Sequence, residues 1–200
     1  VMMIILALDE SAISNYGTDE GLKSLHSIKG QVLNFSSQMS KLLDFYNTMG
    51  IDFKSIQIVD CVRNAIANLK FVSNTEICLD LEAENYSVYG DPFKLSEMFY
   101  NLISNANDAV AEKGTGKITV TIWNEDKWVC ISVLDNGIGM SRKTILNLSR
   151  PFYTTKKTYK NMGLGLPYCK RVVKIHDGCL EFRSRYGKFS EYQVVLPLDD

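Results

Sequence analysis

Two hundred residues with 46% apolar content suffice for one well-buried domain and a smaller element, and they exclude a disordered chain. The 22 basic and 23 acidic residues leave a net charge of -1 with no long block of either sign, which argues against a nucleic-acid partner or an acidic tail. Five scattered cysteines (Cys61, Cys78, Cys130, Cys169 and Cys179) form no C-x-x-C pair, which removes the common zinc and redox signatures and fits a reduced, cytoplasmic setting.

The one continuous apolar run, residues 1–8, is far shorter than the about 20 residues a membrane helix needs, and it lacks the flanks of a signal peptide. A chain that starts inside an apolar run without an initiator methionine reads as a fragment, with room for a membrane anchor upstream. Residues 1–14 predict an apolar-rich helix. Asn15, Tyr16 and Gly17 supply a turn, with Thr18 or Asp19 as the next N-cap. From Leu25 through Ile28, Val32, Phe35, Met39, Leu42 and Tyr46 the apolar residues step by three and four, as one seam of a long helix does. The expectation for residues 1–48 is a helical hairpin. Docking on its own domain competes with a four-helix bundle from two chains, and the homodimer is the favoured reading.

Thr48, Met49 and Gly50 break the helical pattern, so residues 49–200 are expected to form a second domain. Residues 56–69 predict a helix, 75–81 and 87–89 short strands. Residues 94–112 predict a helix with Leu95, Met98, Phe99, Leu102, Ile103, Ala106 and Ala109 or Val110 inward, ended by Gly114 and Gly116. Residues 117–123 and 128–134 alternate as a strand hairpin. A last helix over 167–176 and strands over 179–184 and 192–196 complete the series. A mixed sheet covered by helices on one face is an α+β two-layer sandwich.

Three stretches carry chemistry. In Asn101-Leu-Ile-Ser-Asn105-Ala-Asn-Asp108-Ala109, Asn101 and Asn105 lie one turn apart and present two amide oxygens on one face, with Glu97 a turn earlier. Hard magnesium takes such oxygen ligands while keeping waters and phosphate oxygens, although an exposed polar helix face has the same pattern. In Asp135-Asn-Gly137-Ile-Gly139-Met140, a carboxylate at the end of a half-buried strand needs a donor, which the exocyclic amine of adenine supplies; by itself the stretch also reads as a turn. Gly163-Leu164-Gly165-Leu166 runs into a helix whose N-terminus offers free N–H groups to a phosphate. Phe152-Tyr-Thr-Thr155-Lys156 precedes it, and the polar stretch 141–162 is consistent with a lid. No P-loop signature occurs.

Taken in this order, the stretches resemble the N, G1, F and G2 boxes of the ATP-binding domain of sensor histidine kinases, over residues from about 50 to 200. Gly90-Asp91, His176-Asp177-Gly178 before a strand ending in Ser184, and the closing Val-Leu-Pro197 resemble the family too. The resemblance implies a histidine-kinase/gyrase-like fold, ATP and magnesium as cofactors, and a phosphoryl transfer from ATP to a histidine for relay to an aspartate on the receiver domain of a response regulator. It implies Asn101, Asn105 and Lys156 as catalytic residues, with Asn105 holding magnesium helped by Asn101. It implies Asp135 on the adenine amine and Gly137 and Gly139 along the base. Asp108, Met140, Phe152, Thr155, Lys156, Gly163, Leu164, Gly165 and Leu166 complete the nucleotide site. Asn161 and Asp177 depart from the family's usual glycines.

The first 48 residues resemble the family's dimerisation and phosphoacceptor hairpin. Neither His26, followed by Ser27 and with Gln31 where a proline is usual, nor His176 has the acceptor's setting, so the acceptor is expected upstream of Val1. Two other readings share the fold. Gyrase-like ATPases place a glutamate base where this chain has Asn101, which disfavours hydrolysis, and the serine kinases of this fold lack a long hairpin. A degenerate kinase serving as a phosphotransfer or dimerisation scaffold would not need all the boxes intact.

Overall fold

The computed structural model describes residues 23, 26–32, 50–72, 74–82, 86–155 and 163–199. The chain divides into two units, Val1–Thr48 with Lys156–Met162, and Met49–Thr155 with Gly163–Asp200. In the first, residues 26–32 are helical and His26, Ser27 and Ile28 are exposed. The remainder of the expected hairpin lies outside the described residues, as do Lys156 and Asn161.

The second unit opens with strand β1 (Lys54–Gln57), where the sequence reading began a helix. Its four residues pair antiparallel with β3 (Ser87–Gly90), and helix α1 (Ile58–Ala67) starts only after that ladder ends. α1 buries Ile58, Val59, Cys61, Val62 and Ala65 on one stripe. β2 (Thr75–Leu81) has the expected bounds.

Helix α2 (Pro92–Lys113) is the spine of the unit. Asp91 caps it, its Oδ1 accepting the N–H groups of Phe93 and Lys94 at 3.0 Å each, and Pro92 brings a preset φ to the first turn. Gly114 ends it at φ +92°, a left-handed cap that glycine adopts without strain. Leu95, Met98, Phe99, Leu102, Ile103 and Ala106 are fully buried, and Val110 rather than Ala109 completes the stripe.

β4 (Gly116–Glu125) and β5 (Trp128–Asp135) form the expected hairpin. The short helix α3 (Arg142–Asn147), capped by the Ser141 hydroxyl, was not expected. α4 (Gly165–Ile175), β6 (Cys179–Arg185) and β7 (Phe189–Pro197) follow. α4 begins two residues before the expected Pro167, because proline lacks only an N–H that the first turn leaves unpaired anyway.

The main sheet has the order β2-β4-β5-β7-β6, with β2 parallel to β4 and the other pairs antiparallel. Its helix-facing side is laid down in cross-strand rows: Ile122, Ile131 and Val194, then Val120, Val133 and Tyr192, all buried. α2 packs between α1 and α4 over this face, a two-layer α+β sandwich.

Candidate functional site

On α2, Asn101 and Asn105 are half-buried one turn apart, with Asp108 on the following turn. The Asn101 amide nitrogen donates back to the Glu97 carbonyl at 3.0 Å. That fixes the rotamer so that the amide oxygen faces α4: a Cβ on Gly165 would lie 3.4 Å from Asn101 Oδ1. Asn107, to which the sequence reading gave no role, is buried and structural. Its Oδ1 accepts Val72 N–H at 3.3 Å and its amide donates to the Lys70 carbonyl at 3.2 Å, which ties the segment after α1 to α2.

Asp135 ends β5 in the next cross-strand row after Val120, Val133 and Tyr192, between Ile118 and Ser190, and only 1% of it is exposed. Strand alternation thus turns a carboxylate into the apolar layer. Its Oδ1 accepts Gly137 N–H at 2.9 Å, and its Oδ2 is buried without a hydrogen-bond partner among the described residues. Burial pushes the carboxyl up to about 6, against the pull of the Gly137 N–H, the nearby Ser190 amide, which makes no hydrogen bond to Oδ2, and the Lys113 charge. A buried acceptor left open is costly, and a donor from a ligand is what relieves it.

Gly137 and Gly139 are both required by close approach. A Cβ on Gly137 would sit 2.5 Å from the Ala109 carbonyl, which accepts Ile138 N–H at 3.1 Å. Gly139 has φ +61° and faces the Arg185 carbonyl. Met140 N–H donates to Ser184 Oγ at 2.8 Å, and that hydroxyl donates to the Phe189 carbonyl at 2.8 Å, so the β6–β7 turn holds the glycine loop. Lys113 Nζ adds a 2.5 Å bond to the Asn136 carbonyl. Ser184 and Lys113 escaped the sequence reading as site supports, because nothing local marks which backbone they reach.

At the base of the third stretch Phe152 stands 60% exposed at φ +66°, and Thr155 is exposed. Gly163, at φ +68°, packs against the backbone of Tyr153, so the two ends of the intervening loop meet. Leu164 is buried and is the N-cap of α4, offering no side-chain cap, so the first-turn N–H groups of Gly165 and Leu166 lack the side-chain acceptor that Asp91 gives α2. α2 touches both other stretches, at Asn101 with Gly165 and at Ala109 with Gly137. The three stretches therefore meet along one helix.

The sandwich and the meeting of its three stretches along α2 define a two-layer α+β protein with one candidate site. Residues 90–200 match the family of histidine kinase-, DNA gyrase B- and HSP90-like ATPases, so the chain belongs to that family, as an ATP-binding catalytic domain of the histidine-kinase kind. It is 35% identical over 164 residues to sporulation kinase C of Bacillus subtilis (strain 168), which covers 80% of the chain and 37% of that relative. Sporulation kinase E of the same organism is 34% identical over 135 residues, 68% of the chain and 18% of the relative. Among solved structures, full-length ShkA in complex with AMPPNP has a TM-score of 0.72 at 19% identity, over 92% of this chain and 40% of that one. The chain thus spans well under half the length of these proteins. Among the described residues no helix is long and apolar enough to cross a membrane.

Proposed function

We propose that this chain is the catalytic core of a two-component sensor histidine kinase that binds magnesium-ATP and passes the γ-phosphoryl group to a histidine outside the described residues, for relay to an aspartate on a response regulator. The observation that carries the ATP site is the open, buried Oδ2 of Asp135, an acceptor that suits the N–H donor of the exocyclic amine of adenine. Gly137, Gly139 and Met140 line the base, and Asp108 closes the polar rim of α2. Gly163, Leu164, Gly165 and Leu166 present backbone N–H groups to the phosphates, with Phe152, Thr155 and Lys156 on the lid side.

The residues fit magnesium. Asn101 commits its nitrogen to Glu97, so the atom it offers α4 is an oxygen, and Asn105 stands one turn on. The bound metal would neutralise charge on the phosphates, while the chain's own contribution is to hold the nucleotide in place and exclude water. Hydrolysis is disfavoured, since Asn101 is no base and the nearest carboxylate on the same face, Glu97, accepts the Tyr168 hydroxyl at 2.7 Å. Homodimerisation through the amino-terminal helices and a cytoplasmic placement of this region belong to the same proposal.

Calorimetric titration with a non-hydrolysable ATP analogue, with and without magnesium, tests the site. Metal-dependent binding is expected, and a folded protein that binds neither form would replace this proposal with the scaffold reading.

A further inference from the structure

α4 runs antiparallel along α2. Gly165 abuts Asn101, the Tyr168 hydroxyl donates to Glu97, the Cys169 thiol points to the Met98 carbonyl at 3.6 Å, and His176 meets Asp91. The last contact lies roughly 15 Å along the helix from Asn101, at 1.5 Å per residue.

His176 is a buried wedge with both ring nitrogens used. Asp91 N–H donates to Nε2 at 2.9 Å, and Nδ1 lies 2.7 Å from the Val172 carbonyl. An N–H can only donate and a carbonyl only accept, so the ring is neutral with its proton on Nδ1. Burial lowers its proton affinity, in the same direction. The ring stacks on Phe53 at 4.7 Å between centroids, and a Cβ on Gly90 would strike it at 2.6 Å, so glycine is what admits the ring. Asp91 is itself fixed on three sides: its carboxylate caps α2 and its Oδ2 accepts Asp52 N–H at 3.1 Å.

We propose that His176 is a positioning residue that sets the register of α4 along α2, and through it the separation between the Gly163–Leu166 turn and the Asn101 and Asn105 amides. α4 is joined to α2 by apolar packing and, near its start, by the Tyr168–Glu97 bond; at its far end the bond from the imidazole to the N-cap amide of α2 adds a second directional contact, and two such contacts at opposite ends allow one register. The far end of α4 thereby acts with the Tyr168–Glu97 bond in setting how closely its N-terminus approaches the polar face of α2. The adenine end, built on β5 and the last turns of α2, does not depend on this bond. The proposal rests on the ATP reading above, and it predicts that losing the bond harms the phosphate and metal end selectively.

The test compares His176→Phe, which keeps the stacked ring and loses both bonds, with His176→Gln, whose amide oxygen reaches the place of Nε2. The ligands are adenosine, followed by amide NMR shifts, and a magnesium-loaded ATP analogue, followed by calorimetry. In the phenylalanine variant the analogue is expected to weaken on the order of tenfold, the scale of one lost buried hydrogen bond, while adenosine stays within about twofold. Glutamine is expected to restore most of the loss. His176→Asn, too short to reach the Asp91 amide, takes the place of the phenylalanine variant if the latter does not fold.

Equal weakening of both ligands, or none in a folded variant, overturns the proposal while leaving the ATP reading intact. A folded wild type that binds neither ligand refutes the ATP reading and this inference together. Independently of any nucleotide, ring ¹⁵N shifts are expected to show the proton on Nδ1, and a proton on Nε2 overturns the bond to Asp91.

Discussion

Replacing Asp135 by asparagine should change the pH dependence of stability and the nucleotide affinity in opposite senses. The folded carboxyl titrates at about 6, against about 3.9 for an unperturbed aspartate, because it is buried with one oxygen unpaired. The folded state therefore keeps this proton over a range in which the unfolded state has lost it. Stability supplied by the protonated form is complete below about pH 4 and falls as pH rises through about 6. A difference of about two pH units corresponds to roughly 3 kcal/mol.

Asparagine has the same shape, accepts Gly137 N–H in the same way, and has no charge to bury. Whatever its buried amide costs is independent of pH and cancels in the comparison. Urea unfolding of the nucleotide-free proteins at intervals between pH 4 and 7.5 should thus show the variant gaining about 3 kcal/mol on the wild type across the range. Parallel curves would mean that the carboxylate is solvated, and the argument from its desolvation would fail. The same substitution sets an amide donor against the adenine amine, so affinity for the ATP analogue should drop ten- to a hundredfold, the scale of a lost charge-assisted bond. In the wild type near pH 6, binding should release a fraction of a proton, seen as a dependence of the calorimetric heat on the buffer's ionisation enthalpy.

Gly137→Ala should lower unfolding stability by about 1–3 kcal/mol in chemical denaturation, since its Cβ meets the Ala109 carbonyl and neither backbone has room to yield. Asp91→Ala removes the α2 cap and the Asp52 contact, for a loss of about 1–2 kcal/mol in the same assay; no change would show that the cap is redundant. Asn105→Ala should leave binding of the metal-free analogue within about twofold while abolishing the gain from magnesium, the readout being a magnesium titration at fixed nucleotide. A magnesium effect that persists would move the ligand role elsewhere on α2.

The spine of the fold was legible because α2 carries a regular apolar stripe and a terminal glycine, whereas its start was placed two residues late, at residue 94, because the Asp91 cap and Pro92 were not taken as start signals. β2, β4 and β5 were legible too, since alternation and turn residues mark them. β1 was not, because four residues with one inward side chain have no period of their own and exist as a strand only by pairing with β3. α3 buries nothing and so left no apolar pattern. At α4 the proline was read as the first helical residue, although its missing N–H suits any place in the first turn. In the site, the residue types and order of Asn101, Asn105, Asp135 and the glycines were readable, but their proposed roles came from the resemblance, since each stretch alone also reads as a polar helix face or a turn. The supports were not, because Ser184, Lys113 and His176 act across 23 to 85 residues on backbone atoms, and backbone partners leave no trace in side-chain identity. Asp177, where the family usually has glycine, takes φ +54°, which aspartate tolerates better than most residues.

The meeting of Gly163 with the Tyr153 backbone has a use in engineering. A segment whose two ends are already held together closes no new ring when it is lengthened, so each doubling of its length costs only about 0.6 kcal/mol in chain entropy. The stretch between them is thus a natural port for inserting a peptide tag or a fluorescent reporter. An insertion there leaves the sheet, α2 and Asp135 in place. A library of segment lengths at this one position would show how far the proposed phosphate site depends on the length of the segment that precedes Gly163.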